Sequence, residues 1–123
     1  NNCLILKKEN YEAQKFQKDD FVAVLALKLK KVSANMFYKS QNLKTVVMLE
    51  VDEIEDRRCD LEGNLAEQQQ NDYGGAFERT SVESCYFPKL KRVGTFAFSN
   101  CPITSLNEES FPILSVVGKH AFA

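Results

Sequence analysis

Apolar positions in this chain recur in a fixed frame. Phe87-Pro88-x-Leu90-x-x-Val93-Gly94 leads into Ala97-Phe98, and the same frame returns at constant offset as Phe111-Pro112-x-Leu114-x-x-Val117-Gly118 before Ala121-Phe122. Weaker copies lie upstream. Met48-Leu49-Glu50-Val51-x-x-Ile54 is one, and Ala26-Leu27-Lys28-Leu29-x-x-Val32 is the other, with Met36-Phe37 in the place of Ala97-Phe98. A second apolar step completes each copy: Leu43 with Val46, Val82 after a short turn, and Ile103 with Leu106. A period of about 20 to 50 residues marks a solenoid, in which each repeat is one coil that buries its apolar edge against its neighbours.

The pattern predicts stacked coils about 4.8 Å apart, so that like positions form columns along the axis. Leu90 should lie over Leu114 and Phe98 over Phe122. Gly94 and Gly118 fall where the chain must turn, and they read as positions of positive φ, which glycine reaches without a steric penalty. Pro88 and Pro112, lacking an amide donor, suit a strand edge or corner. Cys101 reads as an inward-facing residue of the turn, a common place for a free thiol. In the second copy the frame breaks after Ile54 and resumes at Gly75-Ala76-Phe77, which leaves about 18 extra residues, roughly 57–74. Their stretch Glu67-Gln68-Gln69-Gln70-Asn71-Asp72 has no apolar periodicity and reads as a solvated loop.

The unit resembles the leucine-rich repeat subclass named after the bacterial surface protein BspA and the Treponema repeat proteins. Val93-Gly94-Thr95-Phe96-Ala97-Phe98-Ser99-Asn100-Cys101 matches the second half of that motif, and Leu43-x-x-Val46-x-Met48-Leu49-x-Val51-x-x-Ile54 matches the first, with Leu49 in the proline position. The resemblance covers about Phe21 to Ala123. It implies an α/β-type repeat solenoid: a right-handed leucine-rich repeat superhelix of about four coils, with a parallel β-ladder and little regular helix. Residues 1–20 do not fit the frame. They read as an N-terminal segment covering the first coil, with Leu4, Ile5 and Leu6 as the cover and Asn10-Tyr11-Glu12-Ala13 opening a short helix. Residues 21–123 form the repeat unit.

A length of 123 residues fits one domain with its own core, and nine Phe with no Trp agree with a repeated Phe column. The net charge of -1 gives no bulk attraction to nucleic acid, and the longest apolar run, Phe21 to Leu27, is too short to span a membrane. Cys3, Cys59, Cys85 and Cys101 form no C-x-x-C pair, and His120 is the only histidine, so neither a metal site nor a catalytic trio can be assembled. Cys85 and Cys101 hold different places in the repeat, which assigns no disulfide. His120 is the counterpart of Phe96 and reads as a packing or capping residue. No cofactor and no enzymatic activity are expected.

Candidate function therefore falls on the unrepeated positions. Between the frame residues of Leu-x-x-Val the chain carries Lys30-Lys31, Asp52-Glu53, Lys91-Arg92 and Ser115-Val116, either a recognition strip or a ladder of charges that neutralise one another across coils. The strand-like stretch offers Lys44, Thr45 and Val47, then Ser81 and Glu83, then Thr104 and Ser105. Tyr73, beside Gly74-Gly75, is a candidate aromatic anchor on the inserted loop. Protein binding is the function expected, and the resemblance implies an adhesion-type protein, secreted or at the cell surface, that meets a host or matrix protein. The alternatives are an intracellular scaffold, a module that self-associates through an open C-terminal end, and the accessory repeats of a larger protein.

Overall fold

A computed structural model of the chain describes residues 2–11, 21–57, 74–103 and 109–122. It is a parallel β-solenoid of about four turns, with no helix among the described residues. The strands are β1 (Cys3–Leu6), β2 (Ala23–Ala26), β3 (Lys31–Val32), β4 (Thr45–Met48), β5 (Glu53–Ile54), β6 (Ser84–Tyr86), β7 (Arg92–Val93) and β8 (Val116–Val117). They form two parallel four-stranded sheets, in the orders β1-β2-β4-β6 and β3-β5-β7-β8. Three coils each give a longer strand to the first sheet and a two-residue strand to the second, while β1 extends the first sheet at one end and β8 extends the second at the other.

The strands follow from alternation. In β2 and β4, Val24, Ala26, Val46 and Met48 are buried while Ala23, Leu25, Thr45 and Val47 face out, the period of two that a half-buried strand requires. In β3, β5 and β7 one charged residue faces out and one β-branched residue faces in: Lys31 with Val32, Glu53 with Ile54, and Arg92 with Val93. The register is one-to-one, with Val24 opposite Val46, Val46 opposite Cys85, and Val32, Ile54, Val93 and Val117 in one column. Lys31 and Glu53, paired across β3 and β5, are 22 residues apart; Glu53 and Arg92 are 39 apart; Lys91 and Ser115 are 24 apart. The long middle step holds the insertion, whose residues 58–73 lie outside the described ones.

Aromatic stacking runs the length of the core. Phe37, Phe77, Phe98 and Phe122 lie face to face in one column, with ring centroids 5.2, 5.0 and 5.3 Å apart and planes within 7° of parallel. Phe87 and Phe111 stack in a second column at 5.8 Å and meet the first edge-on, as at Phe87–Phe98 (86°) and Phe111–Phe122 (74°). The earlier coils fill this second column with Met48 and Ala26. The expected stacking of Phe98 on Phe122 is therefore present, and Leu114 packs against the core that holds Leu90.

One reading needs correction. Gly94 and Gly118 do not hold the left-handed backbone, which belongs instead to Asn35, Phe96 and His120 in one column and to Lys39, Arg79 and Asn100 in another (φ between 59° and 71°). The glycines are required by close approach: a Cβ on Gly94 would run into the Glu55 carbonyl and lie 2.5 Å from Asp56 N, and one on Gly118 would lie 2.7 Å from Thr95 N. Three of these residues are held by their own amides reaching the next coil: Lys39 N to Glu78 O at 3.0 Å, Arg79 N to Ser99 O at 2.9 Å and Phe96 N to Lys119 O at 3.3 Å. The covering segment Cys3–Leu6, which falls outside the repeat frame in sequence, is a strand of the first sheet, with Leu4 opposite Val24 and Leu6 opposite Ala26. The helix expected from Asn10 runs into residues outside the described ones.

Phe77→Ala should destabilise the fold by about 3–5 kcal/mol, because it removes the ring stacked on both faces. Gly94→Ala should lose about 1–3 kcal/mol through overpacking although its φ is ordinary. Urea unfolding followed by circular dichroism measures both.

Candidate protein-binding faces

The sequence-derived candidates separate onto two faces. Lys44 is exposed just ahead of β4, and Thr45 opens that strand on the outward side of the first sheet, in a column with Cys3, Ala23 and Ser84. Lys91 and Arg92 belong to the second sheet. Tyr73, Thr104 and Ser105 lie outside the described residues.

On the first sheet the register shifts the expected strip. Thr45 pairs with Ser84, not Ser81, and Val47 pairs with Tyr86. The outward side consequently carries a row of apolar side chains in register, Ile5, Leu25, Val47 and Tyr86, of which Ile5 and Tyr86 are 48% and 45% exposed. Leu27, also exposed, stands beside this row. Sequence reasoning named Val47 and missed the rest. The signal was Val82-x-x-Cys85, which repeats Leu43-x-x-Val46 once the thiol is counted as a core residue.

On the second sheet the charges alternate by coil. Lys28, Lys30 and Lys31 belong to one coil, Glu50, Asp52 and Glu53 to the next, and Lys89, Lys91 and Arg92 to the third. Glu53 accepts from Lys31 at 2.9 Å and from Arg92 at 3.4 Å. Glu50 accepts from Lys89 at 3.0 Å and from Lys30 at 3.5 Å. The hydrogen bond from Lys89 is the main cause holding the Glu50 carboxyl below its ordinary pKa, and the bond to Glu53 raises that of Lys31. Partial burial opposes ionisation of Asp56, yet the Thr95 amide (2.8 Å) and Arg92 (2.9 Å) outweigh it and hold its pKa low. Arg92 is thereby engaged on two sides by carboxylates of the preceding coil.

At the corner beyond β5, Arg57 meets Glu78 at 3.6 Å and lies 4.6 Å from the Phe96 ring, against which the His120 ring lies tilted by 30° at 5.1 Å, as their shared place in the repeat implies. Glu78 is nearly fully buried and also accepts from Gly75 N at 2.8 Å, so this pair braces the coil at the two feet of the insertion. Cys101 occupies the place of Ser40 and Thr80, and it donates to Phe98 O at 2.7 Å as Thr80 Oγ1 donates to Phe77 O at 2.8 Å. It is a turn cap as much as a core residue. Burial pushes the Cys85 thiol up to about 12 and that of Cys101 up to about 11. Cys3, Cys85 and Cys101 are free thiols.

Among the described residues no three His, Cys, Asp or Glu side chains gather as metal ligands, and no helix is long and apolar enough to cross a membrane. The fold and its faces define a β-solenoid repeat protein. Comparison of the chain with protein-family models, with curated proteins and with solved structures returned no match.

In a Cys59→Ser background, Ellman's reagent at neutral pH should titrate Cys3 quickly and reach Cys85 and Cys101 only on unfolding, since thiolate is the reacting form. The lowered carboxylate pKa of Asp56 stabilises the fold above the ordinary carboxylate value, and that contribution is lost as pH falls through the lowered folded value. Asp56→Asn should accordingly flatten part of the acid limb of a pH–melting-temperature profile. Glu53→Lys should lower the melting temperature at low ionic strength, and the deficit should shrink in about 1 M salt.

Proposed function

We propose that the chain is a non-catalytic protein-binding module of the leucine-rich repeat kind, related to the BspA-type surface proteins, and that it serves adhesion. The observation that carries this reading is the outward row Ile5, Leu25, Val47 and Tyr86. These side chains contribute nothing to the interior, yet they are apolar on every strand of the first sheet. A row in register on a rigid ladder offers a partner a continuous contact whose geometry is set before binding, which lowers the ordering penalty of association. Tyr86, amphipathic and half-exposed, is the natural anchor. The Gly-x-x-Ala-Phe-x-x-Cys stretch, with its thiol capping the turn, supports the family reading.

The test is surface binding to immobilised fibronectin, laminin and collagen. Saturable binding to one of them should weaken about tenfold in Val47→Lys and Tyr86→Ser and stay unchanged in Lys31→Gln on the other sheet. A wild-type chain that binds none of the three would overturn the adhesion reading, and full binding by the two face variants would overturn the face.

A further inference from the structure

The second sheet carries a different outward surface, independent of the apolar row on the first. Along its columns the three coils read basic, acidic, basic, and in the fourth the same places are held by Ile113, Ser115 and Val116. Val116 stands opposite Arg92, and the amides of Ser115 and Val116 bond to Lys91 O at 3.0 and 2.9 Å, so these residues continue the charged columns. Ile113 and Val116 are 47% and 49% exposed. Val116 shares the outward column of Glu53 and Arg92, and Ile113 holds the place of Lys89 in the frame, so the interior does not account for the change from charged to apolar.

The basic row of the third coil is neutralised from one side only. Lys89 is paired with Glu50, and Arg92 with Glu53 and Asp56, all of the preceding coil. Lys91 is exposed and has no carboxylate within ion-pair distance among the described residues. The alternation would place acidic groups in the fourth row, where the chain supplies apolar side chains instead.

We propose that Lys91, Ile113 and Val116 form a docking patch for an acidic segment of a partner protein that also carries large apolar side chains. The carboxylates of that segment supply the missing acidic row against Lys91, and its apolar side chains cover Ile113 and Val116. Charge complementarity chooses this occupant. A basic segment would be repelled by Lys91, and a purely apolar one would leave Lys91 without an acidic partner.

The probe is a fluorescein-labelled peptide, Asp-Leu-Glu-Ile-Asp-Leu-Glu, titrated with the whole chain at low salt and read by fluorescence anisotropy. Saturable binding is expected. It should weaken at least about tenfold with Lys91→Glu and with Val116→Glu, and likewise when the peptide's acids become amides or its Leu and Ile become Ser. Lys31→Gln, on the first coil, should leave it unchanged. Circular dichroism confirms folding of each variant, and Val116→Thr, which keeps the β-branch, replaces any that fails to fold. The patch is wrong if no binding is seen up to about 1 mM. Equal binding of the serine peptide would show charge attraction alone, and unchanged binding by Lys91→Glu would remove the basic contact; either overturns it. So would a wild-type dimer that Val116→Glu turns into a monomer, which would assign the patch to a second copy.

Discussion

The stacking of each repeated side chain on its own counterpart is the constraint from which the rest of this structure follows. Phe37, Phe77, Phe98 and Phe122 share one axis, and the rise from ring to ring matches the spacing of neighbouring strands. A single coil has almost nothing to bury. Its apolar edge becomes an interior only when the next coil lies on it, so stability is a property of contacts between coils. The same constraint explains the glycines. Where Gly94 crosses Glu55 the backbones approach too closely for a Cβ, and the aromatic column sets how near the coils must come.

Much of this was legible because identical residues must meet in a stack. The Phe-Pro-x-Leu-x-x-Val frame announced its columns directly, and the jump between Ile54 and Gly75 announced the insertion, now seen as the longer step between Glu53 and Arg92. What stayed hidden was whatever held a column without keeping the residue. Leu4 and Leu6 continue the columns of Val24 and Ala26, yet no motif accompanies them, since one four-residue strand has no room for a repeat. Cys85 stands in for Val46, and a thiol in a valine's place hid the register that brings Tyr86 beside Val47. Gly94 was legible as a necessary glycine but not for the right reason, because a sequence does not show which backbone crosses above it.

The faces divide as a solenoid's logic requires. Frame residues are spent on the interior, which leaves the outward positions of both sheets to vary. On the second sheet that variation is electrostatic and mostly internal: Glu53 and Glu50 each bridge two cations, so Arg92 and Lys89 act first as struts between coils. On the first sheet it is apolar and faces solvent, with no partner among the described residues to explain it. The two surfaces therefore answer to different pressures, and Lys44 with Thr45 cannot join Lys91 with Arg92 in one site.

The turns carry a further consequence. Asn35, Lys39, Arg79, Phe96, Asn100 and His120 all sit in the left-handed region, a conformation that side-chain-bearing residues adopt reluctantly. Several of these turns are fastened by amides that reach carbonyls of the following coil, as Phe37 N does to Ala76 O and Phe98 N to Ala121 O. Such a corner is fastened from outside its own coil, and a pair of coils is the smallest unit that holds both the turn and the carbonyl it is tied to.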